Sequence, residues 1–138
     1  MSVTHAVIDT NVLVSAGINP CGKPGQVLAA VERLMLRPVI SAEVMAEYRA
    51  VLTRPQFRFQ AEWINSLLDN FEALGLLLEP APISVAGLPD PSDAAFIALA
   101  RYAGCPVITG NIRHFPAKAK VAVLTPAGWV AAQAGQNS

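Results

Sequence analysis

Charge is scarce in this chain: Asp, Glu, Lys and Arg make up 14% of its 138 residues, and apolar residues 53%. An ordinary soluble domain carries roughly 25% charge, so a disordered or heavily solvated chain is excluded and a packed globule with surface to spare for oligomer contacts is predicted. Cysteine is equally sparse. Cys21 and Cys105 have no CxxC spacing, which excludes a disulfide framework and a thiolate metal site, and they read as core thiols of a reducing compartment. Long apolar runs are missing too, the longest being the seven residues from Ala94 to Ala100. A membrane helix needs about 20, so no spanning helix is expected. The N-terminus lacks a basic segment, and Asp9 and Asn11 interrupt its apolar stretch, which predicts a cytoplasmic rather than an exported protein.

Ten basic and ten acidic residues cancel, which argues against a protein that simply wraps a polyanion. Their order along the chain is uneven. Residues 1–58 hold six basic and four acidic side chains, residues 59–100 hold six acids and no base, and residues 101–138 hold four bases and no acid. If some of the acids converge on a metal ion, the rest of the surface is basic, and a polyanionic substrate stays compatible with zero net charge.

The length fits one domain, read as residues 1–132 followed by a frayed polar tail at 133–138. Val3 to Ile8 reads as a buried strand and the segment from Pro20 to Gly25 as a loop into a helix, with Val27, Leu28, Val31, Leu34 and Met35 at helical spacing. Val39-Ile40 is a second strand, and Ser41 caps a helix whose inner stripe is Val44, Met45, Tyr48, Val51 and Leu52, stopped by Pro55. Trp63, Ile64, Leu67, Leu68, Phe71 and Leu74 form the clearest amphipathic helix, with Gly75 placed for a left-handed cap. Leu76 to Leu78 is a strand; Pro91 to Ala103 a helix closed by Gly104; Pro106 to Thr109 and Val121 to Leu124 are strands; and Thr125-Pro126 opens a last helix. Strands alternating with helices predict a mostly parallel sheet covered on both faces, an α/β/α sandwich whose functional crevice lies beyond the carboxyl ends of the strands.

Four carboxylates fall on that edge. Asp9 ends the first strand, where it fits either an Asx turn or helix cap, or a metal-binding role. Asp93 lies on the stripe of Phe96, Ile97 and Ala100, so it faces inward, where a carboxylate needs a partner. Asp90 precedes Pro91 and reads as an N-cap, with help to a metal as a secondary role. Glu47 lies at the margin of its helix's inner stripe and Glu43 further toward solvent, which makes Glu47 the site candidate of the two. Acids from three elements repel one another unless a cation joins them, and an oxygen-only donor set favours Mg²⁺ or Mn²⁺ over zinc.

At these residues the chain resembles the PIN-domain family, metal-dependent nucleases that include the toxins of many prokaryotic toxin-antitoxin pairs. Ile8-Asp9-Thr10-Asn11 is similar to the family's opening motif, Ala46-Glu47-Tyr48 to its helical glutamate, Asp93 with Ala94 to Ala100 to its third acidic position, and Ile108-Thr109-Gly110-Asn111 to its last. Leu52-Thr53-Arg54-Pro55-Gln56-Phe57 resembles the subgroup of single-domain toxins. The resemblance implies a frequently dimeric α/β/α protein that cleaves RNA phosphodiesters with Mg²⁺ or Mn²⁺, Asp9, Glu47 and Asp93 holding the metal. It further implies that Thr10 and Asn11 orient the first carboxylate, that Thr109 supports the floor of the site, and that a small antitoxin is the partner. Asn111 departs from the pattern, since many relatives carry a fourth Asp there; an amide oxygen can ligate a metal but supplies no charge, so a second metal is held more weakly.

Arg113 and His114 follow in the same loop, and Lys23, Arg54, Arg58, Lys118 and Lys120 could track a nucleic-acid backbone or simply form a solvated basic surface. His114 fits a proton donor or a residue that packs the loop. A different class of reading keeps the fold without efficient chemistry, as an RNA- or protein-binding regulatory module, with Asn111 marking the loss. A haloacid-dehalogenase-type phosphatase needs a second Asp two residues after the first, where this chain has Asn11.

Overall fold

The computed structural model describes residues 4–84 and 86–136. Its core is a five-stranded, all-parallel sheet of β1 (Thr4–Ile8), β2 (Leu36–Ile40), β3 (Leu76–Leu77), β4 (Val107–Ile108) and β5 (Val123–Leu124), in the spatial order β3-β2-β1-β4-β5. Six helices surround it: α1 (Thr10–Ile18), α2 (Lys23–Glu32), α3 (Ala42–Leu52), α4 (Ala61–Leu74), α5 (Ala94–Ala103) and α6 (Pro126–Gln136). This is the α/β/α architecture expected of the alternating pattern. Val3, expected to begin the first strand, lies outside the described residues.

β1 is the central strand and β4 pairs on its other side from β2, in the register Val7 to Val107 and Ile8 to Ile108. The chain therefore reverses its direction of travel across the sheet between β1 and β4. In open parallel sheets the crevice for chemistry opens at such a point, beyond the strands' carboxyl ends. The middle strands are wholly apolar at the centre: Ala6, Val7 and Ile8 of β1, Val39 and Ile40 of β2, and Val107 and Ile108 of β4 are all buried. α5 packs across β1, β2 and β4, with Phe96, Ile97, Leu99 and Ala100 buried.

Several local expectations hold for the reasons given. Ser41 Oγ accepts from the Val44 N–H at 3.1 Å and caps α3. Gly104 closes α5 at φ +67°, the left-handed region that glycine tolerates best.

Other expectations are corrected. Gly75 ends α4 in an extended conformation, φ −82° and ψ 168°, rather than as a left-handed cap. Glycine is needed there for closeness, because a Cβ would stand 2.3 Å from the Phe71 carbonyl oxygen and 2.9 Å from that of Pro38. α1 follows β1 directly, over a stretch to which the sequence pattern assigned no element. Its mix of Thr, Val, Ser and Gly has weak helical periodicity, and its buried residues Thr10, Val12, Leu13 and Ala16 are fixed by packing. Cys21 is exposed in the turn after α1 and Cys105 half-buried, so neither is a fully buried core thiol. The helix α6 runs through Gln136, into the stretch read as a tail; residues 137 and 138 lie outside the described residues.

Candidate functional site

The ends of β1 and β4 place two short polar segments side by side. Asp9 leaves β1 at the position of an N-cap of α1, yet its side chain makes no capping hydrogen bond. It turns toward β4 instead, where the Thr109 hydroxyl donates to Asp9 Oδ2 at 2.7 Å. The same Thr109 oxygen accepts from Asn11 Nδ2 at 3.1 Å and from the Asn111 N–H at 3.0 Å, while Asn11 Oδ1 accepts from the Gly110 N–H at 3.0 Å. Asn11 thus clamps the β4 loop against the start of α1, and Thr109, fully buried, is the floor beneath the first carboxylate.

Tyr48 is a part of this frame that the sequence alone did not assign. Its hydroxyl donates to the carbonyl oxygen of Ile8, the peptide that carries Asp9, and its ring packs edge-on against Phe71 with centroids 5.7 Å apart. The signal available was its place on the inner stripe of α3: a buried phenol must find an acceptor. Its neighbour Glu47 is half-buried on the side of the site, and Glu43 is exposed, as the helical rotation predicts.

A short 3-10 turn, Pro91–Asp93, brings the other two acids. Asp90 accepts from the Ser92 N–H at 3.0 Å and from its hydroxyl at 2.8 Å, the capping role expected of it. Asp93 faces inward at 5% exposure, and its Oδ2 is buried with no hydrogen-bond partner. Asp9, Thr10, Asn11, Glu47, Arg54, Asp90, Asp93 and His114 line one hollow of about 210 Å³, with Val51 and Phe96 as its apolar wall. Arg54 reaches it from the turn after α3.

The remaining sequence candidates lie elsewhere. Asn111 does not line the hollow; its Nδ2 sits 2.9 Å from His114 Nε2. Lys23 and Arg113 are exposed and outside the lining. Lys120 stands beside Gly104, Cys105 and Pro106, at the opposite end of β4, and the side chain of Lys118 lies outside the described residues.

Electrostatics in the hollow are strained. Burial, then the charges of Asp9 and Asp90, push the Asp93 carboxyl up to about 6 from 3.8. Burial likewise raises Asp9, against the hydrogen bond from Thr109, which lowers it. Asp90, tied to the Ser92 N–H and hydroxyl, is lowered. Like charges crowded out of water favour protonation unless a cation joins them. The orphaned, buried Asp93 Oδ2 and an oxygen-rich lining are therefore what a divalent cation requires: hard donors, deprotonated on binding. Thr10 Oγ1 is a second buried oxygen without a partner in the same lining.

Comparison with known proteins agrees with the fold. Among the solved structures that share the fold are two chains aligned over most of their length. One, described as FitAB bound to an IR36 DNA fragment, aligns over 88% of this chain and 94% of its own at 20% identity with a TM-score of 0.55. The other, FitAcB from Neisseria gonorrhoeae, aligns over 88% and 98% at 22% identity with a TM-score of 0.58. No curated protein matches the chain in sequence. The model of the PIN domain matches residues 5–113, which include Asp9, Glu47, Asp90, Asp93 and Asn111. The chain belongs to the PIN-domain family.

Proposed function

We propose that this protein is a metal-dependent endoribonuclease that hydrolyses RNA phosphodiester bonds, and that it acts as the toxin of a toxin-antitoxin pair. PIN domains are generally nucleases, and the observation that carries the finer reading is the convergence of Asp9, Glu47 and Asp93 on one hollow with Asp93 Oδ2 buried and without a hydrogen-bond partner. Those three carboxylates hold Mg²⁺ or Mn²⁺, with Asp90 at their edge. A cation so held supplies the positive charge that in-line displacement at phosphorus needs and the polarisation that makes water a nucleophile.

The chain's own residues supply the rest. Thr109 fixes the direction of the Asp9 carboxylate, and Asn11 fixes Thr109. Preorganised donors of this kind spare the site the cost of ordering its ligands during the reaction. Arg54, on the rim, offers a planar guanidinium suited to two phosphate oxygens at once and positions the strand to be cut. No side chain is required as a nucleophile. Residues 1–132 act as one catalytic unit, working in the cytoplasm as a homodimer or higher oligomer and held in check by a small antitoxin protein; no helix among the described residues is long and apolar enough to cross a membrane.

The test is cleavage of a mixed single-stranded RNA by purified protein with Mg²⁺, Mn²⁺ or EDTA, beside Asp9→Asn and Asp93→Asn variants. Products that need metal and vanish in both variants support the nuclease. Folded, metal-binding protein that yields no products in any condition overturns it in favour of an RNA- or protein-binding module, the reading that Asn111 in place of a carboxylate would then explain.

A further inference from the structure

His114 stands between two groups. Its Nδ1 is 3.3 Å from Asp93 Oδ2, and its Nε2 is 2.9 Å from the side-chain amide of Asn111. The contact with Asp93 is close but not aligned as a hydrogen bond, because Oδ2 remains without a hydrogen-bond partner while almost wholly buried. With the ring neutral and protonated on Nε2, a carboxylate oxygen and a ring nitrogen 3.3 Å apart with no hydrogen bond between them are close to the spacing, about 3 Å, of neighbouring ligands on one octahedral ion with bonds of about 2.1 Å. One oxygen each from Asp90 and Asp93 and one ring nitrogen of His114 all lie within 4.8 Å of one another.

The geometry points to His114 Nδ1 as a further ligand of the site's divalent cation, added to the carboxylates named above on the side of Asp93 and Asp90 and oriented from behind by Asn111, which makes the site a mixed nitrogen and oxygen one. This rests on the metal-site reading above and adds the identity of a ligand and the class of ion it selects. Nδ1 can ligate only if Nε2 carries the ring proton, and that N–H then needs an acceptor. Asn111 provides one: turning its amide over puts Oδ1 where Nδ2 stands, with no change of shape. Metal-bound histidines are held in this way by an oxygen on the far ring nitrogen. The residue that departs from the carboxylate pattern therefore has a use at this position. A neutral amide fixes the ring and lets the imidazole occupy a coordination position, so Asn111 is a positioning residue and His114 the ligand.

The consequence is ion choice. Imidazole nitrogen adds little for Mg²⁺, which prefers oxygen and keeps its water, and more for first-row transition ions. Mn²⁺ is then the better-bound ion of the two.

The experiment is pulsed electron paramagnetic resonance on the wild-type protein loaded with Mn²⁺ alone. Nitrogen-14 modulation characteristic of a directly bound imidazole is expected, and it should disappear in His114→Gln. In parallel calorimetric titrations, His114→Gln should lose about tenfold in Mn²⁺ affinity and much less in Mg²⁺ affinity. Asn111→Ala should keep the nitrogen signal with weaker binding. His114 is 35% exposed, so its replacement leaves the core intact, which the unfolding temperature checks. Mn²⁺ bound in an Asp93-dependent manner without nitrogen modulation in the wild type overturns the assignment of His114 and leaves the carboxylate site standing. Absence of any Asp93-dependent Mn²⁺ binding overturns both.

Discussion

The Thr109 hydroxyl and the Asp9 carboxylate meet at 2.7 Å across one hundred positions of sequence. The bond aims Asp9 away from the helix it could otherwise cap, and it works only because β1 and β4 are neighbours in the sheet. Thr109 also accepts from Asn11 and from the Asn111 N–H, so one buried hydroxyl serves three partners.

Thr109→Val keeps the shape and removes all three bonds. It should cost about 1–3 kcal/mol of stability, the range for leaving buried polar groups unpaired. Mn²⁺ affinity should fall about tenfold as Asp9 loses its orientation. Thr109→Ser should restore most of both. Urea unfolding and calorimetric titration of the two variants check this.

Asp93→Asn should stabilise the metal-free protein while destroying its response to metal. The ionised carboxylate is held in a buried place beside other acids, and the amide relieves that repulsion by about 1–2 kcal/mol at neutral pH. Wild-type protein should gain in unfolding temperature when Mn²⁺ is added, and the variant should not. A variant that melts lower than wild type in EDTA would contradict this account.

The same carboxyl sets a pH dependence. Its value in the folded chain, about 6, is above the ordinary 3.8, so between these values the folded state holds more proton than the unfolded state. Stability from this group is therefore fully present below the lower value and is lost as pH rises through about 6. In EDTA, the difference in unfolding free energy between wild type and Asp93→Asn should widen, to the disadvantage of the wild type, across that window. Saturating Mn²⁺, which binds the ionised form, should abolish the trend.

Leu34 joins α2 to β2 at φ +62° with 60% of its surface exposed. A leucine in the left-handed region is strained, and here it gains little burial in return. Leu34→Gly should raise stability by about 0.5–1 kcal/mol, net of glycine's greater freedom in the unfolded chain. Thermal unfolding measures it directly.

What could be read from the sequence and what could not divides by distance along the chain. Asp93 was legible because its inward direction follows from Phe96, Ile97 and Ala100 within two helical turns. Ser41 and Asp90 were legible as caps for the same reason: their partners, Val44 and Ser92, are two or three residues away. α1 was not, because a stretch mixing Val, Thr, Ser and Gly becomes a helix only when Val12, Leu13 and Ala16 find a core to pack on. Gly75 was misread because its constraint comes from the Pro38 carbonyl oxygen on another element, not from its own backbone angles. The approach of His114 to Asp93, which a different loop brings, could not be deduced from the run Asn111 to His114. The convergence of Asp9, Glu47 and Asp93 was suggested by sheet topology; their arrangement around a shared hollow with Arg54 needed coordinates.

The central place of β1 has a bearing on how the molecule is made. Of the five strands of the sheet β1 is made earliest, and it waits, with one flank open, for β4 near residue 107, as Asp9 waits with it for Thr109. A nascent chain stopped between Glu47 and Asp90 carries Asp9 and Glu47 but none of the turn that brings Asp93, and no floor beneath Asp9. Interrupted synthesis thus yields fragments without an assembled site, and a complete hollow exists only once the chain has been made through His114.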